Sequence, residues 1–132
     1  MREILFRGKS EPYGDWVEGF YYKAKFLITD KELCDYITIP HPEKEGRRSD
    51  HILVISETIG QYTGLTDKNG KKIFEGDIIN IEYDETVVEN AVVEYVGASF
   101  YGSTDYDNWE LDGYYEIEVI GNIHDNPELL SN

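Results

Sequence analysis

A mainly β protein with little helix is the fold class that the sequence predicts, on three observations. Apolar and polar residues alternate with period two through most segments, which places every second side chain on one face of a strand. The residue types agree: 11 Tyr stand among 132 residues, with abundant Ile and Val, and these favour strands over helices. Helix signals are few and short. Hydrophobic residues make up 40% of the chain, enough to build a core and unlike a disordered composition.

In chain order, "REILFRGK" is a short strand with Ile4 and Phe6 on one side. "WVEGFYYKAKFLI" is longer; its even positions Phe20, Tyr22, Ala24, Phe26 and Ile28 share the face predicted to be buried, and Lys23 and Lys25 face away. Thr29 with Glu32 forms a capping-box pattern for one helical turn through "DKELC". "DYITIP" and "HILVIS" are two further strands. Between them, "HPEKEGRRSD" has no period, holds Pro42 and Gly46, and reads as an exposed loop.

The stretch "GLTDKNGKKIFEGDII" contains two turns. In "DKNG", Asp67 at the first turn position and Gly70 at the fourth match a type I turn closed by a glycine at positive φ; a two-residue turn on Asn69-Gly70 is the alternative. In "EGD", Gly76 permits another positive φ, and Asp77 can accept hydrogen bonds from nearby backbone N–H groups. As a functional alternative, Asp67, Glu75 and Asp77 would form a metal or acid/base cluster, but the spacing is sparser than a calcium loop needs. Asp67, Gly70, Gly76 and Asp77 are therefore read as structural turn residues.

Beyond this stretch, "DIINIEYD" sets Ile79, Ile81 and Tyr83 against Asn80, Glu82 and Asp84. "NAVVEYVG" puts Ala91, Val93 and Tyr95 on one face. "YYEIEVIGNI" gathers Tyr115, Ile117, Val119 and Ile123 opposite Glu116 and Glu118. "GSTDYDNWELDG" reads as a long surface loop carrying Trp109. Near the end, Asn126, Pro127 and Glu128 supply a cap, a proline at the first helical position and an acid in the first turn.

Three segments together resemble the YopX family: "TIGQYTGLTDKNGKKIFEGDII", the tail "EVIGNIHDNPELL", and the opening pair "REILFRGK" and "WVEGFYY". The resemblance spans nearly the whole chain and is weakest over residues 41–56 and 98–113. It implies a small protein encoded by bacteriophages and prophages. It implies an SH3-like barrel over residues 57–132, with an N-terminal β-rich portion over residues 1–56 packed on it. It implies no activity, since the family is of unknown function, and carries over no catalytic residue.

The charge narrows the function classes. There are 27 acidic and 12 basic residues, for a net charge of −15, a field that repels a phosphate backbone. Duplex nucleic acid is not an expected partner. The one cysteine, Cys34, forms no disulfide within the chain and has no cationic neighbour in sequence to activate it. No signal peptide and no apolar run near the roughly 20 residues of a membrane span are present, so the bacterial host cytoplasm is the expected location.

His41, His51 and His124 have no short metal-ligand spacing. No nucleophile elbow, zinc-protease motif or phosphate loop occurs. No catalytic, cofactor-binding or metal-binding residue is assigned, and no cofactor is expected. The aromatic content points instead to recognition of a partner protein or of a second copy, with Tyr101, Tyr106 and Trp109 as the candidate contact residues and Tyr13 and Trp16 as further exposed aromatics or core. A non-enzymatic binding module is the leading reading. The alternatives are an acidic mimic of nucleic acid and a carboxylate-based enzyme.

Overall fold

Alternation becomes strand almost throughout. The computed structural model describes residues 4–25, 33–40, 49–113 and 115–130, and within them eleven strands are joined mostly by tight turns. The chain divides into two units, Met1–Gln61 and Tyr62–Asn132. The expected capping box at Thr29 and Glu32, the loop residues 41–48 and the apolar pair Phe26 and Ile28 lie outside the described residues. Among the described residues no helix is long and apolar enough to cross a membrane.

In the first unit, β1 (Phe6–Lys9), β2 (Trp16–Ala24), β3 (Cys34–Pro40) and β4 (Ser49–Leu53) pair antiparallel with their neighbours in sequence. The start of β5 (Gly60–Thr66) lies on the other side of β1, with Phe6 opposite Gln61. The segment after β4 returns to the end of β1 through an isolated bridge between Ser10 and Val54, and the Ile55 N–H donates to the Lys9 carbonyl at 2.9 Å. A 3-10 turn at Ser56–Thr58 follows; Thr58 Oγ1 donates to the Ile55 carbonyl at 2.6 Å and accepts the Lys9 N–H at 2.9 Å.

On β2 the expectation fails at Phe20. Phe20 is 57% exposed, whereas Gly19 is buried and Tyr21, opposite the fully buried Ile37, is half-buried. Gly19 lets the β3 backbone approach closely and Tyr21 has a buried partner for its hydroxyl in Asp35, while Tyr22 and Ala24 are half-buried and Lys23 and Lys25 exposed, as the alternation predicts.

In the second unit, the rest of β5 pairs with β6 (Lys72–Phe74). The strands β7 (Asp77–Tyr83), β8 (Thr86–Val96), β9 (Ser99–Ser103) and β10 (Asn108–Glu110) form a meander, and β11 (Glu116–Asn122) returns to the far side of β7. The sheet order β10-β9-β8-β7-β11 leaves β10 and β11 as edges, so this sheet is open. Its core is Ile73, Ile79, Ile81, Ala91, Val93, Phe100, Leu111 and Ile117. These are largely the apolar positions that alternation selects on β7, β8 and β11. Tyr83 and Tyr95 depart from that pattern at 58% and 42% exposed, each against another ring, Tyr115 and Phe100.

"GSTDYDNWELDG" is not a long loop. It is the second half of a β9–β10 hairpin, with Trp109 opposite Gly102 and Asn108 opposite Ser103. Gly102 hides the strand signal because it contributes no apolar side chain. The space it leaves is taken by Ile81, whose Cδ1 would lie 2.8 Å from a β-carbon at that position.

Candidate functional site

The site is built from three segments of the second unit, each shaped by a small polar device. The first is a β-bulge in β8. Asn90 adopts φ 56°, a left-handed conformation that Asn tolerates, where the β7–β8 register shifts between Ile79 and Ile81. Asn80 Oδ1 accepts the Asn90 N–H at 3.1 Å. The extra residue lets Val88 and Ala91, three positions apart, both pack on the core, while Val87 is left 53% exposed.

The second is the turn from β9 to β10. Thr104 Oγ1 accepts the N–H groups of Tyr106 and Asp107, both at 3.3 Å, and the Thr104 N–H donates to the Asp107 carbonyl at 2.9 Å. This turn sets Tyr106 at its tip, 97% exposed, and starts β10 so that Trp109 packs against the edge of the core.

The third is the 3-10 turn Pro127–Leu130. The cap expected of Asn126 acts backwards: its Oδ1 accepts the Asn122 N–H at 3.1 Å. Gly121 makes room for this, since a β-carbon there would meet Asn126 Oδ1 at 2.6 Å. Asn90 Nδ2 then donates to the Leu129 carbonyl at 2.9 Å and ties the turn to the bulge of β8.

Between these segments lies a groove of about 700 Å³. Its apolar surface comes from Val87, Val88, Val92, Tyr106, Trp109, Leu129 and Leu130. Glu89, Glu94 and Asp105 supply all of the lining charge. Of the three candidate aromatics, Tyr106 and Trp109 meet here. Tyr101 is half-buried on β9, opposite Glu94 and Glu110, and does not line the groove. Tyr13 and Trp16 belong to the first unit; Tyr13 is 81% exposed, and Trp16 lies half-buried beneath the Arg7 guanidinium at 4.6 Å. Sequence reasoning missed Val87, Asn90, Val92, Leu129 and Leu130. Val87, Asn90 and Val92 lie on β8 and Leu129 and Leu130 on the closing turn, and the Asn90–Leu129 bond ties the two together.

The turn carboxylates have a different occupation. Asp67, buried, accepts the N–H groups of Asn69 at 2.8 Å and Lys71 at 2.9 Å on Oδ1, and that of Val119 at 3.0 Å on Oδ2. Gly70 closes the same turn at φ 82°, its N–H donating to the Asp67 carbonyl at 3.0 Å. At the next corner Gly76 has φ 92°, and Asp77 Oδ2 accepts the Phe74 N–H at 2.7 Å. Asp77 is only 1% exposed, so replacing it with Ala strands a buried donor. We expect Asp77→Ala to lower stability by about 2 kcal/mol in urea denaturation, and Asp77→Asn to retain most of it. An Asp77→Ala protein as stable as wild type would remove this role.

In the first unit, Tyr21 Oη donates to Asp35 Oδ1 at 2.6 Å and Lys23 Nζ lies 3.2 Å from the same oxygen. Burial pushes the Asp35 carboxyl up, but the Tyr21 hydroxyl and the Lys23 ammonium outweigh it and hold the carboxyl below its usual value. Burial and the Asp35 charge raise the Tyr21 phenol, which stays protonated as a donor. Across the sheet, Tyr22 stacks on Tyr36 with centroids 5.2 Å apart, and its hydroxyl lies 2.9 Å from His51 Nδ1. Among the described residues no cluster of three His, Cys, Asp or Glu is placed to hold a metal ion, and His41 lies outside them.

The comparisons with known proteins address ancestry. Protein EF1440 from Enterococcus faecalis, seen in a crystal structure, is 23% identical, with 98% of this chain and 99% of that chain covered and a TM-score of 0.46. No curated protein matches the chain. A family model described as YopX protein matches residues 5–131, from just before β1 to just past the Pro127–Leu130 turn that closes the groove, and on that match the chain belongs to the YopX family.

Proposed function

We propose that this chain is a non-enzymatic accessory protein of a phage or prophage, and that it works by binding a partner protein through the groove of its second unit. One observation carries the reading. Val87, Tyr106 and Leu130 are 53%, 97% and 43% exposed, and all three converge with Trp109 on one groove. Scattered surface hydrophobics are ordinary, but convergence of several large ones around an aromatic is the pattern of an interface. We read the second unit as an opened relative of the SH3-like barrel, a fold that commonly recognises partners through aromatic side chains in its loops and along one face.

The test compares wild type with Tyr106→Ala and Leu130→Ala, both at exposed positions where little stability is lost. Each is immobilised and exposed to host lysate, with melting temperatures matched beforehand. Loss of the captured protein in both variants is the expected result. Capture of the same proteins by all three would overturn the groove as the binding surface.

A further inference from the structure

We infer that the groove receives a cationic, amphipathic segment of the partner protein, with apolar side chains seated on Val87, Trp109 and Leu130 and Lys or Arg side chains facing Glu89, Glu94 and Asp105. The inference rests on the groove reading above and names the chemistry of its occupant.

Charge is the first argument. Every charged side chain lining the groove is acidic. Among the described residues none of Glu89, Glu94 and Asp105 has an ion-pair partner. Three carboxylates around an apolar surface repel an acidic peptide, an anionic lipid headgroup and a phosphate backbone, and they attract and orient a basic peptide.

The polar inventory is the second argument. A small-molecule site fixes its ligand with a few inward polar groups. Here the amide of Asn90 is used to hold Leu129, and Thr104 Oγ1 is used within its own turn. What remains for a ligand is the Ser103 hydroxyl and the Asn90 side-chain oxygen beside apolar surface and three carboxylates, which suits alternating apolar and basic side chains better than a compact polar molecule.

The groove is also preformed. The groove's apolar surface is continuous with the core through Val88 and Trp109, and its far wall is tied to β8 by the Asn90–Leu129 hydrogen bond. A preformed groove loses little conformational freedom on binding, so a short segment can suffice.

The test uses three synthetic peptides of equal length: one alternating Lys and Leu, one alternating Glu and Leu, and one alternating Lys and Ser. Binding to the full chain is followed by fluorescence anisotropy at low and at moderate salt. Wild type is expected to bind the Lys/Leu peptide and neither of the others. Neutralising the rim with Glu89→Gln, Glu94→Gln and Asp105→Asn together should weaken binding about tenfold and remove most of its salt dependence. A control triple, Glu11→Gln, Asp15→Asn and Glu57→Gln, removes the same charge from exposed residues that do not line the groove and should leave binding unchanged.

Equal loss in both triples would show a general field of the acidic chain and overturn the inference. So would equal binding of the Glu/Leu peptide, or no binding of the Lys/Leu peptide. Lys/Leu binding that persists undiminished in Tyr106→Ala and Leu130→Ala would overturn the groove itself, whatever the charge preference.

Discussion

Replacing Asp67 with Ala is expected to cost about 3 kcal/mol of stability, because one carboxylate accepts three backbone N–H groups. The three are not equal. Asn69 and Lys71 sit at an exposed hairpin tip, where water can replace the lost acceptor at small cost. Val119 is half-buried on β11, 52 residues away, and its N–H is the costly one to strand. Asp67→Asn divides the effect. An amide can keep its oxygen on the hairpin, but its nitrogen then faces the Val119 N–H, donor against donor. We expect Asp67→Asn to lose about half as much as Asp67→Ala, with faster hydrogen exchange at Val119 and little change at Lys71. Equal protection of Val119 in wild type and Asp67→Asn would refute the tether.

The same contacts fix a pH dependence. Burial alone raises the Asp67 carboxyl, but the N–H groups of Val119, Lys71 and Asn69, with the charge of Lys71, outweigh it and lower it from 3.8. A carboxyl lowered on folding binds its proton more weakly in the native state than in the unfolded one. Its contribution is therefore complete above the ordinary carboxylate range and is lost as the pH falls through the lowered value. Asp35 in the first unit shifts in the same direction, so the two units share an acid limb. Asp67→Asn should flatten that limb for the second unit only.

Gly19→Ala is the other large expected effect, about 3 kcal/mol, and it acts on the first unit. A β-carbon on Gly19 would overlap the Thr38 carbonyl of β3 and stand 3.0 Å from Ile37 Cγ2. The obstacle is backbone, so no rotamer change relieves it, and the β2–β3 ladder must open between Phe20 and Thr38. Hydrogen exchange should rise across β2 and β3 while the amides of β7 and β8 keep their protection. A Gly19→Ala protein within about 0.5 kcal/mol of wild type would mean that the strands separate without penalty.

How far the sequence was legible depends on where the apolar signal fell. β7, β8 and β11 alternate clearly, and Ile79, Ile81, Ala91, Val93 and Ile117 are all buried as their spacing predicts. On β2 the alternation holds for the half-buried Tyr22 and Ala24 and the exposed Lys23 and Lys25, but fails at Phe20, which is exposed beside the buried Gly19. Hydrophobicity alone favours burying Phe20, but Gly19, which has no side chain to score, is the residue against the β3 backbone, and Tyr21 is drawn to Asp35 by its hydrogen bond. The β9–β10 hairpin escaped for a similar reason. After the inward Phe100 the next inward residue of β9 is Gly102, and polar turn residues crowd the stretch that follows. The groove could not be read at all, since its walls come from three segments, two joined by the β8–β9 pairing and the third tied on by one Asn side chain.

The late return of β11 bears on how fast this unit assembles. Strands β7 to β9 each pair with the strand next in sequence, so each pairing closes only a short loop. β11 must come back across the whole meander to β7, and the Asp67–Val119 hydrogen bond belongs to the same distant docking. Non-local pairings of this kind form after local ones, because the entropy of closing the longer loop has to be met before any contact is gained. We therefore expect the meander to make up the folding nucleus and β11 to arrive after the transition state. Weakening its tether with Asp67→Asn should leave the refolding arm of a chevron plot nearly in place and lift the unfolding arm, so that the protein lives for a shorter time once folded while folding at its usual speed.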